Sequence, residues 1–179
     1  MSGEILTRAT IWISIAAYTV GAVTFALSRQ RTKWDSLARA AWTIGCAALI
    51  AHVAFAYHHF YGWSQTAAYH DTARQTAEMF GMNWGGGLYI NYLVLAAWIL
   101  DVAWWWRGLD AYRRRPTLIV VVWNAVLIFI IFNGTVVFGT GYVRWLGFLV
   151  CLAVCLAWWF GAAKPRLNSS NDSLMAAED

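Results

Sequence analysis

The sequence predicts an all-α integral membrane protein with five transmembrane helices and a short amphipathic helix in the outer loop between spans 2 and 3. Three observations lead there. The 179 residues are 60% hydrophobic and only 12% charged. A soluble domain carries about 25% charged residues, so a soluble fold of this composition would lack the polar surface to cover itself. The apolar residues come in blocks of roughly twenty, the length that crosses ~30 Å of hydrocarbon. Finally, most of the thirteen tryptophans fall at block ends, among them Trp12, Trp34, Trp63, Trp84, Trp104, Trp105, Trp106, Trp145, Trp158 and Trp159. Interfacial anchoring places tryptophan there.

The first span covers residues 9–27, with Thr10, Ser14, Tyr18, Gly21, Thr24 and Ser28 near one face. Small and hydroxyl residues along a stripe favour close helix packing in lipid. The basic cluster follows this apolar run rather than preceding it, which argues against a cleaved signal peptide. The second span, 38–59, carries a stripe of Ala41, Gly45, Ala48, His52, Ala56 and His59, so His52 and His59 are expected to face the bundle. The third span, 84–106, has a face of Gly87, Asn91, Val94, Trp98 and Asp101. The fourth and fifth spans, 117–138 and 142–163, are separated by a short Gly-Thr-Gly turn. Residues 1–163 thus make one membrane domain, and 164–179 a polar, disordered tail.

The gap between spans 2 and 3 has a helix signature of its own. Ser64 is a candidate N-cap and Gly81 a C-terminal stop. Tyr69, Ala73, Ala77 and Phe80 form a narrow apolar stripe, opposite Asp71, Arg74 and Glu78 at ion-pairing spacings. A helix of this kind lies over the mouth of a bundle or in the headgroups.

Counting Lys and Arg orients the chain. Alternate segments hold ten and three of the thirteen basic residues, the poorer set being Arg8, Arg74 and Arg144. The positive-inside rule then puts the N-terminus outside and the C-terminus in the cytoplasm, which means the inner membrane if the source is bacterial. The net charge of +4 is spread over these gaps and forms no basic, aromatic-interleaved run of the kind nucleic acid selects. The lipid bilayer is the first partner expected, followed by membrane-protein partners or further copies of the chain.

Two polar layers are expected within the bundle, because intramembrane polar groups must find partners. His52, His59, Asn91 and Asn133 form the outer layer, a candidate cofactor site for haem or a small amphiphile. Asp101 and Asn124 form the inner one, with Asp101 expected to pair with Arg107. A metal ion would draw on His58, His59, His70, Asp71 and Glu78. Spacing restricts these options, since His52 and His59 lie about 10.5 Å apart along a helix axis and cannot share one ion. The histidine boxes of membrane di-iron desaturases are absent, as are C-x-x-C-H, H-E-x-x-H, G-x-S-x-G and P-loop patterns. Cys46, Cys151 and Cys155 all lie inside apolar blocks. The leading expectation is a non-enzymatic accessory or scaffold subunit. The alternative is a metal-, haem- or amphiphile-binding membrane protein with redox chemistry open to it.

Overall fold

The computed structural model describes residues 3–27 and 32–163. Ser28, the basic residues Arg29 and Arg31, and the tail from Lys164 lie outside the described residues. Within them the chain runs α1 (Gly3–Leu27), α2 (Thr32–Ala56), α3 (Gln65–Phe80), α4 (Gly87–Arg107), α5 (Leu109–Arg113), α6 (Thr117–Phe132) and α7 (Tyr142–Ala163). Five segments are long and apolar enough to cross a bilayer: Gly3–Leu27, Trp34–Tyr61, Gly87–Arg107, Thr117–Val137 and Tyr142–Gly161. The chain is an all-α integral membrane protein, with α3 standing between the second and third spans.

Helix α1 is central, packing most extensively on α2 and also on α7, while α4 lies against α2 and α6 against α7. The predicted α1 stripe is what brings it to α2. Ser14, Tyr18, Gly21 and Thr24 are all buried. Ser14 Oγ donates to the Gly45 carbonyl at 2.8 Å. At Gly45 an added methyl would come within 3.3 Å of the Ser14 carbonyl and 3.1 Å of the Trp98 ring, so the small residue is what allows three helices to meet. Helix α7 is seated in the same way. A methyl at Gly161 would run into the Ala26 backbone of α1, and one at Gly147 into the Thr135 side chain.

The core is aromatic. Tyr18, Trp42 and Trp98 pack edge to face or tilted, with centroids 5.5–6.1 Å apart. Trp105 continues the cluster 6.2 Å from Trp42, and Phe25 touches both Trp105 and Trp158 at 5.3 and 6.3 Å. These spacings suit the aromatic quadrupole. Here the anchoring assignment needs correction for two tryptophans. Trp105 is only 1% exposed, and Trp158 is half-buried against Phe25. Both lie at block ends in sequence, but their helices turn them inward. Trp34, Trp63, Trp84, Trp106, Trp145 and Trp159 do stand exposed, as interfacial residues should.

Both π-helical turns lie at span ends. Tyr57–Tyr61 closes the second span and Asn133–Val137 extends α6. After the first, Gly62 and Trp63 both take left-handed backbone angles, with φ of 52° and 62°, and the chain doubles back into α3. The Ser64 side chain accepts from the Ala67 N–H at 3.2 Å. Gly81, at φ 72°, ends the helix. The capping residues read from the sequence therefore bound α3 as expected. So do its ion pairs, since Arg74 meets Asp71 at 2.5 Å and Glu78 at 3.2 Å.

Candidate functional site

The most built polar site lies where α4 ends and the connection to α6 begins. Asp101 is on the same face of α4 as Val94, Trp98 and Trp105, and all four are buried. One turn of α5 follows the helix break at Gly108 and places Tyr112 and Arg115 over that face. Asp101 then receives three donors. Trp42 Nε1 donates to Oδ2 at 2.8 Å, Tyr112 Oη to the same oxygen at 2.9 Å, and Arg115 Nη1 to Oδ1 in an ion pair. The side chains of Arg115 and Asp101 are 2% and 9% exposed. The guanidinium carbon sits 3.6 Å from the Tyr112 ring centre. Tyr112 in turn stacks on Trp105, 4.2 Å away with planes 9° apart. Burial, reinforced by the Asp101 carboxylate, pushes the Tyr112 phenol well above its ordinary range, so it serves as a proton donor throughout the physiological range.

The expected partner of Asp101 was Arg107, and the structure replaces it with Arg115. Six residues along a helix turn through about 600°, which points Arg107 away from the Asp101 face, where it is exposed. The useful sequence signal was the i, i+3 pair Tyr112–Arg115 just ahead of Pro116. It puts a phenol and a guanidinium on one side of a short connection. A second ion pair fastens the same connection: Arg113 Nη2 reaches both oxygens of buried Asp35 on α2, at 2.6 and 2.5 Å.

Asn124 of α6 completes the inner layer. It is buried, and its Nδ2 donates to the Val120 carbonyl of its own helix at 2.9 Å. A small cavity of about 10 Å³ lies beside the node, lined by Ala22, Phe25, Trp42, Trp105, Tyr112, Arg115, Asn124 and Trp158. Asn124 reaches the node through this cavity, whose walls also include Trp42, Tyr112 and Arg115, the three residues that donate to Asp101.

The outer layer is more dispersed. His52 Nδ1 donates to the Thr7 carbonyl of α1 at 2.9 Å, which fixes a proton on Nδ1 because a carbonyl can only accept. Its hydrogen bond goes to neither Asn91 nor Asn133. Asn91 is exposed, while Leu88, one turn earlier on α4, is buried. Asn133 Nδ2 donates to the Phe129 carbonyl one turn back, at 2.7 Å. The His59 ring lies against Gly3, and the His58 and His59 rings stand 4.7 Å apart. His70 is exposed beside Tyr69. Asp71 and Glu78 are joined through Arg74. Among the described residues, no three His, Cys, Asp or Glu side chains gather closely enough to hold a metal ion.

Sequence reasoning missed the tyrosines that hold α3, the lid helix between the second and third spans. The hydroxyls of Tyr57 and Tyr92 converge on Gln65 and both donate to its Oε1, at 2.7 and 2.8 Å. Tyr61 Oη donates to Asp71 at 2.9 Å. Burial raises the Asp71 carboxyl, but hydrogen bonds from Arg74, Tyr61 and Gln75 outweigh it and hold the group below its ordinary range. The signal was available in the i, i+4 pair Tyr57 and Tyr61 at the end of the second span.

No known protein family, curated protein or solved structure matches the chain.

Proposed function

We propose that this chain is a non-enzymatic accessory or scaffold subunit of a membrane assembly, with its N-terminus and lid helix outside and its C-terminus in the cytoplasm. One observation carries the reading. The buried carboxylates Asp101 and Asp35 are both bound by arginines of a single connection, so the charge inside the bundle fastens helices together. An arginine, a phenol and an indole from separate segments converge on the Asp101 carboxylate and tie those segments together. The broad apolar faces of α4, α6 and α7, with Leu93, Leu100, Leu118, Phe129 and Phe160 all exposed, are then available to lipid and to neighbouring subunits.

The competing reading is a metal-, haem- or amphiphile-binding protein. It has support in the adjacent, exposed rings of His58 and His59. A single experiment separates the two. The protein is extracted in a mild detergent, its size measured, and its optical spectrum and metal content recorded. The subunit reading predicts co-migration with other membrane proteins or with further copies, and neither a Soret band nor stoichiometric metal. A cofactor band lost on His58→Ala/His59→Ala would overturn it.

A further inference from the structure

Four of the side chains that line the 10 Å³ cavity each carry a buried polar atom with no hydrogen-bond partner among the described residues: Arg115 Nε, Trp105 Nε1, Trp158 Nε1 and Asn124 Oδ1. They belong to four different side chains from α4, the connection after α5, α6 and α7. Arg115 and Asn124 are each 7% exposed and Trp105 1%. Buried polar groups are almost always paired, with protein or with ordered water. Three of these atoms are N–H donors and one is a carbonyl acceptor.

We propose that this cavity is a binding site for one water molecule. The volume is at the threshold for a single water centre, and a buried water wants two to four polar partners. The water oxygen accepts from Arg115 Nε–H and from an indole N–H, and one water hydrogen is donated to Asn124 Oδ1. Charge argues for a neutral occupant. A cation would face the guanidinium of Arg115. An anion would face Asn124 Oδ1, whose orientation is set because the amide nitrogen is committed to the Val120 carbonyl. The positive charge of Arg115 is already matched by Asp101. Bound there, the water links the ion-pair node to Asn124 of α6, which the direct hydrogen bonds of Asp101 do not reach.

The test is water–indole cross-relaxation measured by nuclear magnetic resonance on the full chain in lipid nanodiscs, with tryptophan indoles labelled with nitrogen-15. Trp105→Phe and Trp158→Phe assign the two signals. Trp98 is an internal control, since its indole N–H is also buried with no partner among the described residues but its side chain does not line the cavity. A long-lived water contact is expected at the indoles of Trp105 and Trp158, with none at Trp98. Asn124→Leu, which removes the acceptor and fills the space, should reduce the contact at least fivefold. Silence at both cavity indoles, an equal signal at Trp98, or an undiminished signal in a folded Asn124→Leu protein would each overturn the assignment. If Asn124→Leu does not fold, the contrast between the cavity indoles and Trp98 in the wild-type protein decides it.

Discussion

Asp101 shows how one buried charge is made tolerable in an apolar interior. Each oxygen has at least one donor, and the guanidinium that neutralises it is sandwiched onto Tyr112. Removing one member of such a pair strands the other, at a cost of about 3–5 kcal/mol, whereas replacing both with apolar groups of similar volume is often neutral. Asp101→Leu or Arg115→Met alone should therefore lower the thermal unfolding midpoint in detergent sharply. The double variant should recover most of that loss. If the double variant were as unstable as the singles combined, the node would not act as one unit. At this scale the sequence was half legible. Intramembrane cost marked Asp101 and Asn124 as residues that must be paired. It did not identify the arginine, because α5 reverses the chain over a single turn and brings Arg115 back over a helix that Arg107 leaves.

The lid is the element whose existence, caps and ion pairs could be read directly, because each depends on neighbours three or four residues away. Its seat on the bundle is non-local and follows from no three- or four-residue spacing. A methyl at Gly85 would run into the Tyr69 carbonyl. Gly85→Val should accordingly lift α3, making the 65–80 segment cleavable by protease in conditions where the parent resists. Acid should loosen the same element. The folded-state value of Asp71 lies below its unfolded one, so its stabilising contribution is complete above about pH 4, the ordinary carboxyl range. That contribution drains as the pH falls through the folded-state value. Protease resistance of α3 should decline on acidification in the wild-type protein, and Asp71→Asn should begin weaker and show a shallower dependence. An identical acid profile in the two proteins would remove Asp71 from the explanation.

For the whole molecule, composition and block length were enough to give five spans, since the cost of exposing a polar backbone to hydrocarbon leaves few alternatives. The core was not legible in the same way. Tryptophans at block ends look alike in sequence whether they face headgroups or the interior, and only packing separated Trp105 and Trp158 from Trp106 and Trp159. Orientation rests on the distribution of Lys and Arg. Single cysteines placed at Gln75 and at Ala111, in a background with Cys46, Cys151 and Cys155 replaced by alanine, should label from opposite sides of intact cells or vesicles. Gln75 is expected to react with an impermeant maleimide from outside, and reaction of Ala111 instead would invert the topology.

The two glycine seats of α7 have a consequence for the membrane itself. Gly147 rests on Thr135 and Gly161 on the Ala26 backbone, fourteen positions or about 21 Å apart along the axis. A rod bolted at two such points cannot lean to suit a thinner or thicker sheet of lipid. Mismatch that a lone helix would absorb by tilting must instead be taken up by the surrounding acyl chains, which stretch or compress around this protein.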